Sequence, residues 1–96
     1  MAMSPIVQNK RDDILRIATQ YGASNVRVFG SVARGEAGPE SDIDVLVQLE
    51  PGRSLLDIVA IKQELEELLG HKVDVLTEAS ISPYLRERIL TDAIRL

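Results

Sequence analysis

The sequence contains no cysteine, which excludes disulfide bonds, thiolate zinc sites and a cysteine nucleophile. It also has no tryptophan, one phenylalanine and two tyrosines, so aromatic platforms for stacking nucleobases are scarce. Its 11 basic side chains are outnumbered by 15 acidic ones, and no dense basic run is present to neutralise phosphates. We therefore do not expect a nucleic-acid partner.

Long hydrophobic runs are also missing, so no membrane span is expected. The first ten residues lack the basic-then-apolar layout of a secretory signal, and the absence of cysteine suits a reducing compartment. We therefore expect a cytoplasmic protein. A length of 96 residues, with 45% hydrophobic and 27% charged side chains, predicts one globular domain over 1–96.

Hydrophobic periodicity predicts an α/β sandwich with the outline αβαβαβα. Strands are predicted over Asn25–Phe29, Asp42–Leu49 and His71–Leu76. Helices are predicted from Ser4-Pro5 to Gly22, briefly within 30–37, from Ser54 to Leu69, and after Ser82-Pro83. The third helix is expected to bury a stripe of Leu55, Ile58, Ile61, Leu65 and Leu68, while Glu64, Glu66 and Glu67 form a solvated face. The last helix is expected to face the core with Leu85, Ile89, Ala93 and Ile94.

Two aspartates stand at the start of the second predicted strand. Asp42 and Asp44 are two residues apart, so both carboxylates lie on one face while Ile43 points to the other. Aspartate is a poor strand former, and two like charges at about 4 Å repel by about 4 kcal/mol at an effective dielectric near 20. A divalent cation between them would reverse the sign of this interaction. The alternative is a pair of solvated acids where the strand begins.

The third predicted strand repeats the pattern, because Val73 and Val75 alternate with Asp74. If the valines of both strands face one core, Asp74 points to the side of the other two aspartates. Three carboxylates on strands suit Mg²⁺, which takes further ligands from water and substrate phosphates. The pattern thus favours a two-metal site for displacement at phosphorus. Taken alone, Asp74 also fits an acid on an exposed edge strand.

Gly30-Ser31 lies between the first strand and the short helix that follows it. Glycine permits a close backbone approach, and the serine hydroxyl with the free N–H groups of the helix start can donate to phosphate oxygens. Arg34 lies one turn later and could clamp the same phosphates. The alternatives are an ordinary turn and a solvated cation. The spacing is not that of a P-loop.

These elements together resemble a known signature. The run from Gly30 to Glu36, GSVARGE, is followed by Ser41–Val47, SDIDVLV, with ten residues between the Gly-Ser pair and the Asp-x-Asp pair. This pattern resembles the DNA polymerase β nucleotidyltransferase superfamily, and more narrowly its minimal nucleotidyltransferases of bacteria and archaea. The third acid of that family is matched by Asp74.

The resemblance implies a small polymerase β-like palm fold with a mixed sheet flanked by helices. It implies that Gly30 and Ser31 contact the triphosphate of ATP, and that Asp42, Asp44 and Asp74 hold Mg²⁺, two ions in the usual arrangement. Asp42 and Asp44 would be the catalytic pair. The reaction would be attack on the α-phosphate, transfer of AMP and release of pyrophosphate.

Small members of this type are similar to the antitoxin half of a two-gene module, in which the partner is a helical HEPN ribonuclease toxin. The resemblance implies AMP transfer to a toxin tyrosine, and a homo- or hetero-oligomer is compatible with it. A chain this short also leaves acceptor recognition largely to a partner's surface. The alternatives are an antitoxin that acts by contact alone and a transferase with a small-molecule acceptor. A sugar transferase would need more strands, and a calcium loop would need a turn glycine and a final glutamate.

Overall fold

A four-stranded mixed sheet organises the chain in this computed structural model, which describes residues 5–35 and 42–96. The strands are Ala23–Phe29 (β1), Ile43–Leu49 (β2), Val73–Thr77 (β3) and Ile94–Arg95 (β4). Their spatial order is β3-β2-β1-β4, with β2 parallel to β3 and β1 antiparallel to both of its neighbours. The predicted α/β fold with a mixed sheet is confirmed.

Five helices flank this sheet in the described part of the chain. They are Pro5–Asn9 (α1), Arg11–Gln20 (α2), Ser31–Arg34 (α3), Leu55–Leu69 (α4) and Pro83–Asp92 (α5), with a 3₁₀ turn at Glu78–Ser80. None of these helices is long and apolar enough to cross a bilayer. The predicted capping of α4 is confirmed, because Ser54 and Asp57 form a reciprocal capping box and Gly70 ends the helix in the left-handed conformation.

The main core lies on one face of the sheet, against α2 and α4. Ile43, Val45 and Val47 are fully buried there, as the period-two alternation of β2 predicts. A smaller core lies on the opposite face, where Phe29 and Leu46 pack with Ile81 and the partly buried side chains Leu76, Ile89, Leu90 and Ala93. Asp44 of β2 therefore shares a face with this smaller core.

The predicted stripe on α4 is wrong at its beginning. The fully buried positions are Ile61 and Leu65, followed by Leu69, whereas Leu55 is 80% exposed. Leu55 lies in the first turn, ahead of the part of the helix that packs on the sheet. Because this helix is apolar at many positions, its sequence is compatible with more than one buried stripe.

The first and last predicted helices also differ from the structure. The first predicted helix is two helices separated at Lys10, and Leu85 is 52% exposed rather than buried. Ile94 belongs to the short strand β4 instead of the last helix, since the chain leaves α5 after Asp92 and pairs with β1. The short helix over Ser31–Arg34 lies within the predicted 30–37. The predicted cap at residue 4 and the end of that helix within 36–37 lie outside the described residues.

Candidate active site

Gly30 connects β1 to α3 at a point where only glycine fits. Its φ angle is +73°, in the left-handed region, and a Cβ atom built on it would lie 2.6 Å from Oδ2 of Asp44. The backbone of the Gly-Ser turn is therefore packed directly against the Asp44 carboxylate. The group that this glycine approaches within the protein is Asp44, and the close approach predicted between its backbone and a ligand phosphate stays a prediction.

The register of the sheet brings Asp44 beside Asp74. In the parallel pairing of β2 with β3, the Cα of Asp44 lies opposite that of Asp74, and Ile43 lies opposite Val73. Paired residues point to the same face, so both carboxylates leave the main core together. Asp42 precedes Asp44 by two residues, just before the strand begins. This register agrees with the prediction for Asp44 and Asp74, whereas Asp42 lies outside the paired residues and its place beside them stays a prediction.

The electrostatics of Asp44 reflect this crowding of acids. Its pKa is raised above the ordinary aspartate value, first by burial and then by the negative charges of Asp74 and Asp42. The Asp44 side chain is half-buried, whereas Asp42 and Asp74 are exposed. The protein thus holds a carboxylate in surroundings that disfavour its charge, with an open approach from solvent.

Asp74 and Asp42 both act electrostatically on Asp44, but the three carboxylates do not form a closed ligand cluster. Within residues 5–35 and 42–96, no three acidic or histidine side chains are gathered as they would be around one metal ion. Asp42, Asp44 and Asp74 nevertheless supply the hard oxygen donors that Mg²⁺ prefers. Burial, and after it the negative charges of Asp74 and Asp42, raise the pKa of Asp44, and a cation bound there would offset the repulsion between these charges. The donor set therefore fits Mg²⁺, and its assignment stays a prediction.

Ser31 and Arg34 occupy the beginning and the end of α3. Ser31 is half-buried at the first position of the helix, immediately after Gly30. Arg34 is exposed, and its Nη1 lies 3.5 Å from Oδ2 of Asp92 on α5. The pair shows that the last turn of α5 lies close to α3. The predicted phosphate contacts of Gly30, Ser31 and Arg34 remain predictions.

Two glutamates interpreted as solvated have specific partners. Glu64 accepts a hydrogen bond from the hydroxyl of Tyr21, which links α4 to the end of α2. Glu66 accepts from Nζ of Lys62 and from the backbone N–H of Val73. The interpretation was wrong for these two residues, because the sequence does not show which neighbouring elements the polar face of a helix meets. Nothing in the spacing singled out Lys62.

Comparison with known proteins identifies the family. Residues 11–96 match the nucleotidyltransferase domain family. The chain belongs to this family. A relative from Methanocaldococcus jannaschii, provisionally named a protein adenylyltransferase, is 51% identical over 81 residues, which are 84% of this chain and 87% of the relative. The predicted membership of a nucleotidyltransferase enzyme family is thus confirmed.

Solved structures agree with this nucleotidyltransferase fold. One, provisionally described as a minimal nucleotidyltransferase, is 49% identical, covers 94% of this chain and 92% of its own, and superposes with a TM-score of 0.85. Another is a complex of a tri-AMPylated Shewanella oneidensis HEPN toxin with an MNT antitoxin; the matched chain is 20% identical, with coverages of 92% and 69% and a TM-score of 0.70. The first confirms the resemblance to minimal nucleotidyltransferases, and the second shows a shared fold.

Proposed function

We propose that this nucleotidyltransferase transfers AMP from ATP to a protein hydroxyl, and that the acceptor is a tyrosine of a cognate HEPN ribonuclease toxin. The observation that carries the proposal is the packing of Gly30 against Asp44, with Asp74 opposite Asp44 in the sheet. This arrangement joins a turn suited to phosphate with a group of carboxylates suited to a cation. The family and the adenylyltransferase relative support the same reaction.

Asp42, Asp44 and Asp74 are the residues that would hold Mg²⁺, in a two-ion arrangement. When bound, Mg²⁺ would neutralise phosphate charge and offset the mutual repulsion of the carboxylates. The negative charges of Asp74 and Asp42, which together with burial raise the pKa of Asp44, support this role, because they favour a cation beside that carboxylate. Asp42 and Asp44 are the proposed catalytic pair.

Gly30, Ser31 and Arg34 would bind the triphosphate of ATP. The lack of a side chain at Gly30 leaves the backbone open to a phosphate oxygen, and the Ser31 hydroxyl is available to donate a hydrogen bond. Arg34 is exposed at the far end of the same short helix, where its guanidinium would neutralise phosphate charge. These contacts would place the α-phosphate beside the aspartates.

In the proposed reaction, the acceptor hydroxyl oxygen forms a bond to the α-phosphorus, and the bond from that phosphorus to the bridging oxygen of the β-phosphate breaks. AMP becomes an ester of the acceptor, and pyrophosphate leaves. The hydroxyl proton passes to a carboxylate, for which Asp74 is the candidate, since it is exposed beside Asp44. Positioning and charge stabilisation would supply most of the acceleration.

The openness of the site supports a protein acceptor. Asp42 and Asp74 are both exposed, so a tyrosine presented on a partner's surface can reach them. A stable hetero-oligomer with the toxin would supply the recognition that the acceptor requires. The AMPylated HEPN toxin bound to a protein of the same fold supports this partner.

Incubation with Mg²⁺, the candidate toxin and ATP labelled at the α-phosphate tests the proposal. Label on the toxin from α-labelled but not γ-labelled ATP is expected, with loss in Asp42→Ala and Asp44→Ala. Glu87→Gln, on the exposed surface of α5, is the matched control and should transfer label normally. Inhibition of the toxin at equal molar ratio without label would refute transfer and support an antitoxin that acts by contact.

A further inference from the structure

The strand that carries Asp74 lies at the edge of the described sheet, where β3 pairs with β2 alone. An edge strand presents unpaired backbone groups on its outer side. At Val73 both of these groups are occupied: the N–H donates to Oε2 of Glu66 at 3.0 Å, and the carbonyl accepts from Nζ of Lys62 at 2.8 Å. Two side chains of α4 thus take the place of a further strand at this one residue.

The inner side of the same segment is held by β2. The N–H of Ile43 donates to the carbonyl of Lys72 at 2.9 Å, and Ile43 and Val73 are partners in the register. Val73 is also completely buried in the main core. Val73, the residue directly before Asp74, is therefore held by α4 on the outer side of the strand and by the main core beneath the sheet, and the segment before it is held by β2. These contacts fix the position of Asp74 along the sheet relative to Asp44.

Stabilisation of α4 does not explain the ion pair between Lys62 and Glu66. Lys62 and Glu66 are four residues apart with their charged atoms 2.7 Å apart, but the lysine precedes the glutamate, which is the less favourable order on a helix. Both side chains instead reach over the edge of the sheet to the same backbone residue. The hydrogen bond between them, and then the one from Val73, lower the pKa of Glu66, so the pair is fully charged at neutral pH.

Lys62 also lies within the electrostatic field of the acids. Its pKa is raised first by the hydrogen bond to Glu66 and then by the negative charges of Glu66, Asp74 and Asp42. A lysine whose only effect was its charge would repel a cation from this place. Removal of Lys62 should therefore strengthen cation binding if the lysine acts only through its charge, and weaken it if the lysine holds β3 in place.

We propose that Lys62 and Glu66 are positioning residues, which hold β3 at Val73 so that the Asp74 carboxylate stays beside Asp44 for cation binding. The inference rests on the proposed function for the identity of the cation site. It does not require ATP or an acceptor, so it can be tested on the protein alone.

The experiment measures Mn²⁺ affinity by the electron paramagnetic resonance of the free ion, in wild type, Lys62→Met and Lys62→Arg. Lys62→Met is expected to weaken Mn²⁺ binding by about tenfold, the lower limit for losing a group that supports metal ligands. Lys62→Arg, which can still donate to the Val73 carbonyl, should keep near-wild-type affinity. Glu67→Gln, an exposed neighbour on α4, is the matched control and should change nothing.

Amide hydrogen exchange of metal-free protein gives the second readout. Glu66→Ala, which removes the acceptor of the Val73 N–H, should speed exchange of that amide, while the exchange of the Val28 amide in β1 and the thermal midpoint change little. Unchanged or tighter Mn²⁺ binding by Lys62→Met, with wild type binding normally, would overturn the positioning role and leave the proposed function intact. A wild type that binds no Mn²⁺ would refute both. If Lys62→Met does not fold, Glu66→Ala is measured in the same way, and unaltered Val73 exchange in it overturns the inference.

Discussion

Replacement of Asp44 by asparagine is expected to make the metal-free protein more stable while it removes the cation site. Asparagine has the same shape as aspartate, so the contact with Gly30 is retained. It lacks the charge that burial and the neighbouring carboxylates disfavour. A substitution at a functional residue that raises stability would show that the protein maintains this charge for its reaction.

The magnitude follows from the spacing of the strands. Carboxylates at about 5 Å, close to the separation of adjacent strands, repel by about 0.8 kcal/mol at the dielectric of water and about 3 kcal/mol at an effective dielectric of 20. Because Asp44 is half-buried and Asp74 is exposed, solvent screening favours the lower end of this interval. We expect a gain of about 1 kcal/mol, which for a domain of this size raises Tm by about 4–8 °C.

The pH dependence has a definite sign. The folded-state pKa of Asp44 is above its unfolded value, so between the two values the folded protein binds more protons than the unfolded chain. The contribution of Asp44 to the free energy of unfolding of wild type is therefore fully present below the ordinary aspartate pKa. It is lost as the pH rises through the raised pKa of the folded state. The advantage of Asp44→Asn should be absent in acid and develop across this window.

Urea denaturation of both proteins without divalent cations, between about pH 3.5 and 7.5, measures the difference. Glu87→Gln, which removes an exposed carboxylate from α5, serves as the control and should follow wild type throughout. Addition of Mg²⁺ should then stabilise wild type and leave Asp44→Asn unmoved. An asparagine variant that is equal to or less stable than wild type at neutral pH would refute the reasoning.

Four other substitutions test the site and the packing. Gly30→Ala should destabilise the fold by about 1–3 kcal/mol in urea, since its φ is +73° and the new Cβ would lie 2.6 Å from Asp44 Oδ2; an unchanged midpoint contradicts this geometry. Ile61→Ala should cost about 2–5 kcal/mol because Ile61 is fully buried, whereas Leu55→Ala should change stability by less than about 0.5 kcal/mol; equal losses would refute the orientation of α4. Arg34→Gln should weaken ATP binding by about tenfold in calorimetry, from the loss of a charge-assisted hydrogen bond, and an unchanged Kd would exclude this residue from the site.

The acids were predictable because alternation in a strand reveals which side faces the core. Ile43 and Val45 in one strand, and Val73 in the other, mark the buried side, which leaves the aspartates on the opposite face. The turn at Gly30 was predictable from its place between a strand and a helix. The contact of Gly30 with Asp44 was not, since it depends on the antiparallel pairing of β1 with β2.

The supporting contacts could not be read from the sequence. Lys62 and Glu66 have the spacing of an ordinary pair on the surface of a helix, and their bonds to Val73 arise only when α4 packs beside an edge strand. The strand β4 is two residues long, too short for any periodicity. The orientation of α4 was ambiguous because apolar side chains occur on several sides of its first turns, including Leu55.

The pairing of β3 with β2 also limits how the chain between α4 and β3 can vary. Three residues, 70–72, make this connection, and in β3 Val73 and Val75 face the main core while Asp74 between them faces the other side. An insertion of one residue that shifted the pairing by one would turn Asp74 into the hydrophobic interior and bring Val73 to the water-facing side. An insertion of two would keep each side chain on its own side but move the acid along the sheet, away from Asp44. The length of this short loop thus determines where Asp74 lies: an odd change in length turns it to the other face of the sheet, and an even change displaces it along the same face.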